Sequence, residues 1–300
     1  MGGIVLLIGG YGQLGTAIRR RWTGAQIVAP PRDELDIENG ESVRRAFERY
    51  RPALVVNCAA FHDVDRCERE PERAFAVNAY AVRALTHRCA EFDAAFVTIS
   101  TDYVFDGRAA RPYTESDAEH PLSAYAASKL AGEAAARMGG RVYVVRTCGV
   151  YGHAEHRDKP SFIDRVVARA AAGERVTISP EIVASPTFAG HLADALRSLA
   201  ETGNYGLYHA VNEGPVSWFD FAAEAMRQAG VSAKPVPGSA PVRSGAAARP
   251  QYSALDCTKL ARLGIRLRIW QEGIRDYLAE RAVPAGGLFL DAEVSRSSAP

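Results

Sequence analysis

The chain has 300 residues, 47% of them apolar, and a formal net charge of +1. That length supports one sizeable core plus a smaller lobe, and the interleaving of basic with acidic residues leaves no footprint for nucleic acid or a membrane surface. No apolar run approaches membrane-spanning length, no charged-then-apolar leader opens the chain, and five cysteines without a C-x-x-C pair read as reduced thiols, so a cytoplasmic protein is expected.

The first element is the short apolar run Ile4-Val5-Leu6-Leu7-Ile8, which fits a strand buried on both faces of a parallel sheet. Gly9, Gly12 and Gly15 follow with G-x-x-G-x-x-G spacing and lead into Thr16-Ala17-Ile18-Arg19, a helix start. Such a turn lets a pyrophosphate approach the backbone and sit over the helix N-terminus. A second strand at Gln26-Ile27-Val28-Ala29 ends in Pro30-Pro31-Arg32-Asp33. Arg32 suits the 2′-phosphate of NADPH, while Asp33 keeps NADH open. Asp36 and Ile37 stand where an adenine is met in such folds.

A helix near 40–51 precedes a strand at Ala53–Asn57, and a long helix opens at Pro71 and runs to about Glu91. Strands at Ala95–Ile99 and Val142–Arg146 flank a helix carrying Tyr125-Ala126-Ala127-Ser128-Lys129. Repeated βαβ units predict an α/β fold, a Rossmann-type doubly wound parallel sheet with ligands beyond the carboxyl ends of its strands. Beyond residue 150 the pattern loosens. Helices are expected near 161–173 and 188–201, a strand at Val176–Ile178, and a strand at Gly206–Val211 returning to the sheet. Ser217-x-x-Asp220 opens a further helix through Gln228, with Trp218, Phe219 and Phe221 read as its core anchors. Residues 235–250 read as a loop and the chain from Val283 as disordered. The expected division is a dinucleotide-binding domain of 1–150 plus about 186–215, and a substrate lobe of about 151–185 and 216–281.

Tyr125 and Lys129 project from one helix face. A nearby ammonium favours phenolate and would bring a phenol, free pKa about 10, toward proton transfer near neutrality. A hydroxyl from Ser100 or Thr101 would hold a carbonyl against it. That is equipment for carbonyl reduction by a nicotinamide.

The motifs GGYGQLG, VVNCAAFHDVDRCEREP, FAVNAYAV, STDYVFDG, YAASKLAGE, VRTCGVYG, SPTFAGHLA, GLYHAVNEGPVSWFDFA and Ala248-Arg249-Pro250 stand in one order along residues 3–281. In these the chain resembles the extended short-chain dehydrogenase/reductases, and among them the dTDP-4-dehydrorhamnose reductases. The resemblance implies reduction of the C4 ketone of a dTDP-4-keto-6-deoxy sugar by NADPH or NADH. It makes Tyr125 the proton donor, Lys129 its neighbour on the nicotinamide ribose, and Thr101 the group that orients the ketone. It lines the cofactor with Gly12, Gln13, Leu14, Ala59, Ala60 and Asn78, and the reading of the residues adds Gly9, Tyr11, Arg32, Asp36, Ile37 and Ser100. It sets Val64, Asp65, Asp102, Val104 and Phe105 toward the sugar and Arg249 toward a phosphate. A homodimer is common among such proteins.

Departures carry information too. Sugar-nucleotide dehydratases of this superfamily follow Thr-Asp with a glutamate base, and here Tyr103 stands there, so elimination is not expected. Two glutamates associated with magnesium in some rhamnose reductases are Ala17 and His191, so no metal is expected; His191, His62, His153, His156 and His209 read as surface or capping histidines. The aromatic of the T-S-W-V-Y segment is Gly149, and the loop from His153 to Ser161 also differs, so the sugar itself stays open. Two rival readings remain: a non-catalytic NADP-binding subunit, similar to the regulatory partner of methionine adenosyltransferase, and a sugar-nucleotide epimerase with tightly held NAD.

Overall fold

A computed structural model describes residues 2–155, 160–238 and 246–282; the tail expected to be disordered and His156 lie outside the described residues. Strand β1 (Ile4–Ile8) shows why an apolar run without alternation is a strand here. Val5 and Leu7 enter one core layer while Leu6 and Ile8 enter the other. Each such side chain contributes roughly 1.5–3 kcal/mol by leaving water.

The chain continues through α1 (Gln13–Arg21), β2 (Gln26–Val28), α2 (Gly40–Tyr50) and β3 (Leu54–Asn57). A short helix not anticipated from the sequence, α3 (Val64–Arg69), is capped by the Asp63 carboxylate. The stretch expected as one helix from Pro71 to Glu91 is three pieces end to end: α4 (Pro71–Phe75), a π turn (Ala76–Tyr80) and α5 (Ala81–Glu91). Then come β4 (Ala95–Thr101), α6 (Ala124–Ala136) and β5 (Val142–Thr147). The wide turn explains a small residue in α6: a Cβ on Gly132 would run into the Asn78 carbonyl.

The second half contributes α7 (Phe162–Ala171), β6 (Thr177–Ile178), β7 (Val183–Ala184), α8 (Ala189–Thr202) and β8 (Gly206–His209). After these come β9 (Val216–Ser217), α9 (Trp218–Gln228), β10 (Val236–Pro237), α10 (Thr258–Ala261) and α11 (Trp270–Ala282). Strand β10 lies inside the stretch expected to be loop; it pairs with β6. Helix α11 was legible but unanticipated, with Ile274, Tyr277 and Leu278 at helical spacing and joined to Tyr151, Phe188 and Phe221 in one apolar cluster.

The main sheet has six parallel strands in the order β2-β1-β3-β4-β5-β8. The order reverses between β1 and β3, which opens a crevice beyond their carboxyl ends. Helix α8 packs against α1, and Leu260, Ile265 and Leu267 reach back into the same core layer. No helix among the described residues is long and apolar enough to cross a membrane.

Candidate active site

Gly9 begins the site. Its φ of +75° makes the sharp exit from β1, and a Cβ there would meet the Ala59 amide nitrogen at 2.9 Å. A Cβ on Gly15 would run into the Gly9 carbonyl, so the third glycine lets α1 close on the turn. Gly12 caps α1 with nothing nearer its Cβ direction than 3.5 Å, which leaves bare backbone at the helix N-terminus for an anion.

Two adjoining cavities share Gly12, Ala59 and Ala60. The inner one, about 240 Å³, is lined by Gly9, Tyr11, Arg32, Asp36, Ile37 and Val77 among others. Arg32 stands at its rim, 70% exposed and paired with Glu38 at 2.9 Å. Exposed pairs are worth under about 1 kcal/mol, so this one yields cheaply to a 2′-phosphate. The outer cavity, about 380 Å³, brings together Gln13, Leu14, Val64, Ser100, Thr101, Asp102, Tyr125 and Lys129.

Ser123 caps α6 by accepting from the Ala126 amide at 3.2 Å, which sets Tyr125 in the first turn and Lys129 one turn on. The Lys129 ammonium is buried and donates to the Ile99 carbonyl at 2.6 Å. Burial pushes it down to about 8, opposed by the charge of Glu133 and by Cys58. The Tyr125 phenol is in hydrogen-bond reach of Thr101 and edge-on to Tyr103, with ring centroids 6.1 Å apart. Burial raises its pKa, Thr101 opposes, and the Asp102 charge adds to the rise. Desolvation outweighs the bond from Thr101, so the phenol stands above its ordinary value. The ammonium is committed to a carbonyl and desolvation dominates, so Tyr125 stays protonated through neutral pH. Asp102 is buried and accepts from the Thr101 hydroxyl at 3.0 Å. Burial raises its carboxyl too, against bonds from Cys148, Ser253 and Thr101.

Five expected contacts do not line either cavity. Asn78 is buried and turned inward: it accepts from the Phe61 amide at 2.9 Å and donates to the Phe61 carbonyl and to Ser128 at 2.9 and 3.0 Å. It fixes the loop that carries Ala59 and Ala60. Val104 and Phe105 are fully buried, and Phe105 stacks on Tyr113 at 4.1 Å, because the chain after Thr101 turns down into the core. Asp65 and Arg249 pair with each other at 2.9 Å. Ser100 lines the outer cavity, yet its hydroxyl donates to Glu133 at 2.5 Å, which leaves Thr101 as the hydroxyl beside the phenol.

His191 is no surface histidine. It is buried between Asp276 at 2.9 Å and Asn212 at 2.8 Å, tying α8 to α11. His209 is also buried, pushed down to about 3 by desolvation and then by the Arg146 charge. Burial raises Cys58 to about 12 and Cys148 well up, so neither is a thiolate nucleophile. Sequence reasoning missed Trp218, Pro250 and Ser253 in the outer cavity and Phe61 and Arg73 in the inner one. Trp218, Pro250 and Phe61 stand inside motifs already singled out, but none of the three had been given a place in the site.

The sequence profile described as RmlD substrate binding domain matches residues 3–283. The chain belongs to that family. This RmlD-family chain is 36% identical over 284 residues to the dTDP-4-dehydrorhamnose reductase of Streptomyces griseus, covering 90% of this chain and 91% of that one. It is 34% identical over 280 residues to a probable dTDP-4,6-dihydroxy-2-methyloxan-3-one 4-ketoreductase of Streptomyces antibioticus, covering 90% and 93%. A crystal structure of dTDP-4-dehydrorhamnose reductase from Bacillus anthracis, in complex with NADP, superposes with a TM-score of 0.87 at 30% identity, covering 93% of this chain and 99% of that one.

Proposed function

We propose that this protein reduces the C4 ketone of a dTDP-linked 4-keto-6-deoxyhexose with NADPH; the two Streptomyces relatives are named as a reductase and a probable 4-ketoreductase of dTDP-linked sugars. One observation carries the reading: Thr101, Tyr125 and Lys129 line one cavity, and the adjoining cavity that shares Gly12, Ala59 and Ala60 with it is lined by Arg32. NADPH, when bound, supplies the hydride. The Gly12 end of α1 would hold its pyrophosphate and Arg32 its 2′-phosphate. Tyr125 gives its proton to the oxygen that becomes the alkoxide, and Thr101 holds that oxygen in place. Lys129 keeps positive charge behind the phenol as it loses its proton.

The same reading assigns residues 1–150 with about 186–215 to the cofactor and the remainder to about 281 to the sugar nucleotide. It also includes a cytoplasmic homodimer, which sedimentation of the purified protein tests. Initial rates of NADPH oxidation with dTDP-4-dehydrorhamnose and with its C3 and C5 epimers test the activity. Tight NADPH binding with no oxidation across that panel overturns the proposal in favour of a regulatory subunit. Co-purifying NAD with no net oxidation overturns it in favour of an epimerase.

The reading fixes a pH dependence. Lys129 must be charged, and burial has brought it to about 8 from 10.5, so kcat/KM falls as pH rises through about 8. Stability runs the other way. Between about 8 and 10.5 the unfolded chain binds more protons at this lysine than the folded one, so this contribution rises with pH. A rate that stays flat to pH 10 in a buffer series would refute the assignment.

A further inference from the structure

Gly149, just past β5, adopts φ +49°, and a Cβ built there would meet Cη2 and Cζ2 of the Trp218 indole at 3.0 and 3.2 Å. The missing side chain is the seat of an indole delivered from another element. Trp218 opens α9, and its backbone N–H donates to the Ile182 carbonyl at 3.0 Å, beside the antiparallel pair of β7 and β9. Phe162 and Phe221 hold the ring edge-on, with centroids 4.8 and 5.7 Å away. The ring is therefore fixed at backbone and side chain, yet it is only partly buried and its residue lines the outer cavity. Ile182, Ala184 and Pro250 line the same cavity, and their apolar surface complements the polar set of Thr101, Asp102, Tyr125 and Lys129.

We propose that Trp218 is a specificity-determining residue: the benzo rim of its indole forms the platform on which the apolar face of the sugar rests while its ketone meets Tyr125. This rests on the proposed reductase reading and deepens it. A deoxyhexose presents C–H groups and a methyl where a fully hydroxylated hexose presents oxygen. An aromatic rim flanked by aliphatic side chains favours the former, because a hydroxyl there would lose its water without a partner. The platform is also rigid, so little side-chain freedom is lost when a sugar settles on it.

Trp218→Phe keeps a ring against Phe162 and Phe221 and removes the rim. The KM for the 4-keto sugar is expected to rise about tenfold while kcat and the KM for NADPH stay within about twofold. A second readout needs no turnover. With three tryptophans in the chain, titration of the wild type with dTDP-rhamnose should quench indole fluorescence, and Trp218→Phe should lose that quench. An unchanged KM in Trp218→Phe, or the same quench in both proteins, overturns the platform. A wild type that oxidises no NADPH on any 4-keto sugar overturns the reductase reading instead, and the quench then decides the platform alone.

Discussion

Tyr125→Phe is expected to lower kcat roughly a thousandfold, the usual scale for losing a positioned proton donor that also meets developing charge. NADPH affinity should stay within about threefold. The phenyl ring keeps its edge-on contact with Tyr103, and Thr101 keeps its bond to Asp102 at 3.0 Å, so neither the pocket wall nor the neighbouring hydroxyl is disturbed. The cofactor contacts proposed at Gly12, Arg32 and Lys129 lie outside the change. What disappears is one proton, held on a phenol whose pKa burial has raised, so that in the wild type it is present at every pH where Lys129 is charged. Stopped-flow rates of NADPH oxidation under single-turnover conditions, with NADPH affinity from its fluorescence, separate the two effects. A variant that turns over within tenfold of the wild type would remove Tyr125 as the acid and leave the mechanism without a donor.

What is legible in the sequence depends on the kind of signal. The parallel sheet was legible because β1, β3, β4 and β5 are buried on both faces, and such strands have no polar alternation to confuse them. The turn at Gly9 and the Tyr125–Lys129 pair were legible because spacing alone fixes which groups share a helix face or a turn. Direction of burial was not. Val104 and Phe105 follow Thr101 immediately, and nothing in their identity says that a short 3-10 turn sends them into the core while Tyr103 stays at the cavity. Asn78 and Ser100 are polar residues at buried positions, and a sequence does not say whether such a group meets a ligand or a neighbour. Here the neighbours are Phe61, Ser128 and Glu133. The π turn at Ala76–Tyr80 left no trace in composition, since one extra residue per turn barely disturbs an apolar pattern. Trp218 was hidden for a related reason: its ring is a core anchor at one edge and a cavity wall at the other.

Beneath the site lies the feature with the largest expected effect on stability. Arg146 is fully buried on β5, donating to Glu133 at 2.9 and 2.7 Å and to Glu119 at 2.5 Å, with its guanidinium 5.1 Å from the Phe105 ring. Glu119 is held below its ordinary pKa: burial works to raise it, but bonds and charge from Arg146 and the Arg137 charge win. Arg146→Met removes the cation and leaves the Glu133 carboxylate bonded to Ser100 and the half-exposed Arg137, with the Lys129 charge acting on it from further off. Breaking one partner of a buried pair costs about 3–5 kcal/mol, which for a chain of this size lowers Tm by on the order of 10 °C. A loss below about 1 kcal/mol in urea unfolding would mean that the pair is not desolvated as the geometry implies. Adding Glu133→Leu should then return much of the stability, because an apolar replacement of both partners removes the stranded charge. It should not return the activity. Glu133 is the carboxylate whose charge raises Lys129 against desolvation and whose oxygen holds the Ser100 hydroxyl. Without it the alkaline limb of kcat/KM moves below about 8, toward neutrality. A double variant that regains stability while its pH profile shifts to the acid side separates the two roles of this buried cluster, since packing alone would leave the profile where it was.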